Sequence, residues 1–522
     1  VLLKKMWGLA GSIILTAGLL AGCGSEQQNV PDTGANVPQE RVTLKVGIFD
    51  RGNSPSGVTV TNNYWTNWVK DSFGAVESYI DVEFVPIPRS GATEKVNVMM
   101  ASEDAPDIVF ASTDNLLPYN FAKQGGLMDL TDIIDEHGPN LKSYLGDVLE
   151  MGKVDGKIYS IPGKRVYQGR YTSIIRQDWL DELNLQMPAT TEETYEVLKA
   201  IKAAKPDSIP LGFALRQSSI EPIMWSFVEP LNEEQRYTMT QQLGATDFPV
   251  LLPGFKEGLK FLNQMYNEGL MSPDFALDTD GNQLNEDIMN GKVGLYSEDT
   301  GKTYNSTPGI AAKLIASEPA ANLVPVDPYT NSEGKHAKPG YLPNNFYIMV
   351  PAKSERAVEA IKYLNWLASE EVMNTILNGT EGQDYNLVDG VPQRIDSQEV
   401  ADRMYNAGDI ELMTSAVDYG NAEMNRKAMV SSVAEQFRAR AEKSYEIGET
   451  DTLNQIRFPD PIEAEIKYGA ILGDLYNEML VKVVMASPQD FDATYTSMMD
   501  QYMKSGGQKI LDERIQAYAA LK

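Results

Sequence analysis

The sequence predicts an α/β protein of two lobes, each a sheet flanked by helices. Three observations carry this expectation. Strand and helix patterns alternate between residues 42 and 111, and the alternation starts again after residue 164. An extended segment, "GKIYSIP" at 156–162, interrupts the two runs. About 500 residues follow residue 22, ample for two cores, since a single core stops growing near ~250–300 residues.

Residues 1–22 read as an export signal. Lys4 and Lys5 make a basic start, and residues 9–20 are an apolar run. The run is too short for a membrane span of ~20 residues but suits the apolar centre of a signal. It ends in Leu20-Ala21-Gly22-Cys23, which resembles the lipobox of bacterial lipoproteins. That resemblance implies cleavage after Gly22, lipid attachment at Cys23 and residence at the outer face of the cell membrane. Residues 23–40, rich in Gly, Pro, Asn and Gln without an apolar period, read as a flexible tether with a reach of roughly 20–25 Å.

Order begins at "RVTLKVGIF", where Val42, Leu44, Val46 and Ile48 alternate as in a strand. A loop, "DRGNSPSG", leads to a helical stretch with Trp65, Val69 and Phe73. "IDVEFVPI" is a second strand, "ATEKVNVMMAS" a short helix and "PDIVFA" a buried third strand. Such an order implies parallel pairing through right-handed crossovers. After "GKIYSIP", "TSIIRQDWLDELNL" supplies a strand and a short helix, and Thr190 with Glu193 forms a capping box before Val197, Leu198 and Ile201. "IPLGFAL", "GKVGLYS" and "FYIMVP" are further strands, and residues 354–371 a helix with Val358, Ile361, Leu364 and Ala368 on one face. The last hundred residues are mostly helical in period, and no 20–50-residue repeat is visible.

Composition narrows the function. The net charge of −28 opposes binding to nucleic acid phosphates. Cys23 is the single cysteine, so the folded part has no disulfide, Cys nucleophile or thiolate metal site. His137 and His336 are the two histidines; both lie in turn-like stretches, "DEHGPN" and "SEGKHAKPG", and read as polar loop residues. No metal or cofactor is expected. "DTDGNQLNED" at 278–287 has acidic spacing, but Gly281 is misplaced for an EF-hand and no Glu follows at the twelfth position; the reading is a helix start with solvated carboxylates.

Six segments together resemble a known group. They are "MMASEDAPDIVF", "QGGLMDLTDIID", "DGKIYSIP", "IIRQDWLDELNLQMPATTEETYEVLKAIK", "TEGQDYNLVDG" and the terminal "VKVVMASPQDFDATYTSMMDQYMKSGGQKILDERIQAY". In this order they resemble the extracellular solute-binding lipoproteins of carbohydrate ABC importers, in a large subgroup of Gram-positive type. The resemblance implies a type II periplasmic-binding-protein-like fold with crossing strands between lobes. On it, residues 41–163 with 343–391 form the first lobe, and 164–342 with 392–522 the second. The implied partners are an oligosaccharide and the membrane subunits of an ABC permease, with the chain a monomer. Some relatives carry an acidic calcium loop before an Ile-Pro strand; here "KAAKPDSIPLGF" has Ile209 and Pro210 without it.

Ligands of open α/β sheets sit at the carboxyl ends of strands. Those ends, the hinge and the crossings carry Asp50, Arg51 and Asn53; Ser112, Thr113 and Asp114; Arg165, Tyr167, Arg170 and Tyr171; Arg216, Glu221 and Trp225; then Tyr341, Asn344, Asn345 and Tyr385. Aromatic rings stack on the C–H face of a sugar, and charged or amide groups bond its hydroxyls. The expected ligand contacts are Arg51, Asn53, Trp65, Asp114, Arg165, Tyr167, Arg170, Glu221, Trp225, Tyr341, Asn345 and Tyr385. Trp179 and Trp366 fall within helical periods and are assigned to packing. The competing classes are a lipid-anchored glycoside hydrolase, which would need paired carboxylates, and a surface carbohydrate-binding adhesin.

Overall fold

The computed structural model describes residues 40–522 apart from 103–104, 112–115, 240–249, 306–308, 332–333, 454–455, 457 and 459. The signal, Cys23, nearly all of the tether and Asp114 lie outside the described residues.

The first sheet grows from the alternation of Val42–Asp50. This strand pairs in parallel with Ile80–Pro88, Val42 opposite Ile80, and bridges in parallel to Ile108 on its other side. The next strand, Val109–Ala111, pairs antiparallel with Asn344–Met349, which pairs antiparallel with Ser160–Lys164. Helix Tyr64–Val76 starts at a capping box, with the Asn63 side chain accepting from Trp65 and Thr66 and the Thr66 hydroxyl closing back on Asn63. Its Val69 and Phe73 reach the core beneath.

The second sheet has the order Leu323–Val326, Tyr171–Arg176, Val293–Asp299, Ile209–Leu211. Only the last pair is parallel. The predicted box at Thr190 is present: Glu193 N–H donates to Thr190 Oγ1 at 3.2 Å and Thr190 N–H to Glu193 Oε2 at 3.3 Å. The strand predicted through "LGFAL" stops at Leu211. Helices Glu463–Val484, Phe491–Tyr502 and Gln508–Ala520 pack into the core of this lobe through Tyr476, Tyr502 and Ile510. Among the described residues no helix is long and apolar enough to cross a membrane.

Two large cores result, with two smaller clusters beside the second. The first joins side chains of 44–161 to Ile348, Leu364 and Ile376. It also takes Val400, Met404, Ala407, Ile410, Leu412 and Met413, so the chain leaves this core after residue 413, not at the expected 391. The amphipathic turns of 400–413 fill the face left open beside Val42–Asp50, a long-range match that no local pattern announces.

His336 departs from its reading as a polar loop residue. It is 2 % exposed; Nδ1 lies 2.6 Å from Asp327 Oδ1 and Nε2 lies 2.7 Å from the Pro222 carbonyl. Burial pushes the Asp327 carboxyl up, but the bond to His336 and the Lys338 ammonium together hold it below the usual range. In 278–287 the Asp278 carboxylate accepts from the backbone of Gln283 and Leu284, at the start of helix Asn282–Met289.

Candidate functional site at the lobe crossings

Three stretches run between the lobes, and backbone bonds hold them together. Arg165 N–H donates to Pro343 O at 2.8 Å, and Tyr341 N–H to Gln168 O at 2.7 Å, with an antiparallel bridge between Gly169 and Gly340. The third stretch joins through Lys164 N–H to Met413 O at 2.8 Å. Glycine is needed for so close an approach: a Cβ on Gly163 would stand 2.7 Å from Leu412 O. These crossings lie where the carboxyl ends of Ser160–Lys164 and Val293–Asp299 and the start of Asn344–Met349 converge, because the flanking pairs are antiparallel.

The side chains there form a stack. Tyr341 lies under the Arg165 guanidinium at 4.1 Å and under that of Arg170 at 5.1 Å, each contact worth ~0.5–2 kcal/mol. Arg165 Nη2 donates to Asn345 Oδ1 at 2.9 Å. Arg170 donates to Tyr171 Oη at 2.8 Å and Gln217 Oε1 at 3.0 Å, and its other nitrogen is 3.5 Å from the fully buried Glu221 carboxylate. Burial lowers the Arg165 pKa, and the Arg170 charge acts in the same direction. Burial raises Tyr341, and burial with the adjacent Glu298 raises Asp299 at the end of its strand.

Five expected contacts are thus brought together: Arg165, Arg170, Glu221, Tyr341 and Asn345. The others are not. Arg51 is bound through two nitrogens to Asp409, at 2.7 and 2.6 Å, and Asn53 is exposed on the loop beyond its strand. Trp65 is a core residue, 1 % exposed and edge-on to Trp68; the capped helix start turns Trp65 and Thr66 inward and leaves Tyr64 exposed. Tyr167 is also core, donating to Tyr445 O at 2.8 Å. Trp225 is 2 % exposed in a satellite core with Val228 and Leu252, because helix Gln217–Ser226 is buried on all sides from Ser218 onward. Tyr385 sits on the hairpin Tyr385–Val388 and Val391–Arg394, away from the stack. Trp179 and Trp366 pack in the two cores, as assigned.

Sequence reasoning missed a cavity of about 240 Å³ lined by Tyr119, Met151, Lys153 and Tyr347 of the first lobe and by Phe458, a member of the second core. Nothing local marks those residues. Asp299 and Gln217 had a usable signal, since both follow strand patterns by the same rule that selected Arg216.

The chain is 25% identical to the lipoprotein LipO of Bacillus subtilis over 407 residues, 74% of this chain and 75% of that protein. It is 30% identical over 314 residues to the fructooligosaccharide ABC transporter substrate-binding protein FusA of Streptococcus pneumoniae, 55% of this chain and 56% of FusA. The crystal structure of the alginate-binding protein AlgQ2 without calcium superposes with a TM-score of 0.66 at 21% identity, covering 92% of this chain and 98% of that one; at that identity the likeness shows a shared fold, the two-lobed one. Residues 59–374, which include the crossings at 164–170 and 339–343, match a family of known sequence pattern, and the chain belongs to the bacterial extracellular solute-binding proteins.

Proposed function

We propose that the chain captures an oligosaccharide between its lobes and delivers it to an ABC permease, without chemistry on the sugar. The lobes in this reading are 41–163 with 343–413, and 164–342 with 414–522. What supports it most is the cluster of Tyr341 with the two guanidinium groups of Arg165 and Arg170 at the crossings, with Asn345 and Glu221 beside them. An aromatic face flanked by directional polar groups suits a pyranose, and FusA is named for fructooligosaccharides. None of the residues of that cluster lines the cavity of about 240 Å³, itself below the ~300 Å³ where small-molecule sites begin; an oligosaccharide at the crossings requires the lobes to part and close again. Ligand shifts that equilibrium because the closed form touches it from both sides.

A glycan panel read by thermal shift tests the proposal. A tight ligand raises the melting temperature by RT ln(1+[L]/Kd) of added stability. In calorimetry, Tyr341→Ala is expected to weaken that ligand by about 1–3 kcal/mol, the range for removing a central aromatic anchor. The sugar should be recovered intact after long incubation; cleaved product would replace this reading with the hydrolase one.

The same proposal places the protein at the outer face of the cell membrane, as a monomer held by lipid on Cys23. The lipobox pattern of residues 20–23 supports it, and LipO is named a lipoprotein. Cys23→Ala should leave the chain uncleaved or released. Detergent partitioning of the variant equal to the parent would reject the anchor.

A further inference from the structure

We propose that the captured ligand carries a carboxylate, as a uronate-bearing oligosaccharide does, and that Arg165 receives it. This rests on the oligosaccharide reading above and specifies its ligand. The chain has 73 acidic residues against 45 basic ones. Arg51, Arg170, Arg176, Arg216, Arg403 and Arg514 each form an ion pair, whereas Arg394 and Arg438, half-buried in the protein, donate to carbonyl and amide oxygens. Arg165 is half-buried at the lobe crossing and forms no ion pair among the described residues. Its neighbours hold it in place without neutralising it. Asn345, a neutral amide, takes one N–H of Nη2 at 2.9 Å, and Tyr341 takes one face at 4.1 Å. The Nε bond to the Asn344 carbonyl, at 3.4 Å, is at the limit for such a bond. Nη1 donates to no protein atom among the described residues.

A guanidinium taken partly out of water with no counter-charge is costly. It is also the fork that binds a carboxylate through two parallel bonds. Arg170 does not provide the counter-charge; it is itself cationic and is matched by Glu221. Asp299, whose charge reaches Tyr341 and Arg170, makes no ion pair with Arg165. A sugar bearing only hydroxyls would leave the cation uncompensated when the lobes close. A uronate would compensate it.

The test is calorimetry on the full chain in detergent, with trigalacturonate and trimannuronate and the methyl ester of each, which keeps the rings and removes the charge. For one pair the acid should bind about ten- to a hundredfold tighter than its ester, the worth of a hydrogen-bonded charge. Arg165→Gln should collapse that ratio toward one, and Arg165→Lys should restore part of it. Thermal melts establish that each variant is folded; should Arg165→Gln unfold, Asn345→Ala, which frees the fork from its anchor, should lower the ratio instead. Equal binding of acid and ester, or a ratio that survives Arg165→Gln, overturns the proposal. Binding of neutral oligosaccharides alone overturns it too, while the oligosaccharide reading stands. Binding of no glycan, acidic or neutral, overturns both.

Discussion

Glu411→Gln is expected to flatten the pH dependence of folding stability between pH 5 and 8.5. Glu411 is 1 % exposed and lies in the third crossing, just before the Met413 carbonyl that accepts from Lys164. Its Oε1 accepts from Met413 N–H at 2.9 Å, and Oε2 has no partner among the described residues. Tyr144 and Tyr363 face it, their phenols themselves pushed up by burial. Burial raises the Glu411 carboxyl from 4.5 to about 8, against the opposing bond from Met413. The folded state therefore holds a proton that the unfolded chain releases. The stability linked to that proton is fully present below pH 4.5 and is lost as pH rises through about 8, a change on the order of 3–5 kcal/mol. Glutamine keeps the acceptor for Met413 and has no proton to lose. Urea midpoints measured across this range should fall steeply for the parent and shallowly for the variant; parallel profiles would mean that Glu411 is ionised in the fold.

Trp225→Ala should cost about 3–5 kcal/mol of folding stability, as large-to-small changes of buried aromatics do, and should leave the ligand affinity of the folded fraction unchanged. Trp225 fills the centre of its satellite core, with Leu231, Met239, Ala337 and Leu453 packed around it. Its indole N–H has no partner among the described residues, so Trp225→Phe should cost less than the alanine change. Chemical denaturation together with calorimetry separates the outcomes. Normal stability with weakened binding would return Trp225 to the cleft.

The contrast between Trp225 and Arg165 explains how far a sequence reading of the site reaches. Arg165 is expected at the site because it follows the hinge, and Trp225 because it lies beyond a strand pattern. Arg165 stays at the crossing because the backbone around it is committed to Pro343, so its side chain must leave the sheet edge. Trp225 instead lies on a helix with buried neighbours on every side, and which face of that helix meets solvent depends on Leu252, Ala337 and Leu453. Trp65, on its capped helix, fails for the same reason, whereas Tyr167 lies off any helix and is held in the core by its bond to the Tyr445 carbonyl. Arg51 fails differently: its charge is taken by Asp409, hundreds of residues away in sequence.

By itself the sequence determined the α/β alternation, the capped helix at Thr190, the two-lobed fold class and the family resemblance. These rest on local physics, on period and caps. Only the tertiary structure decided that residues 400–413 complete the first core, that His336 is buried against Asp327, and that Arg165, Arg170 and Tyr341 form one stack while three other aromatic residues are core. Those outcomes depend on contacts between segments far apart in the chain, and on which charges find a partner, quantities that no window of sequence contains.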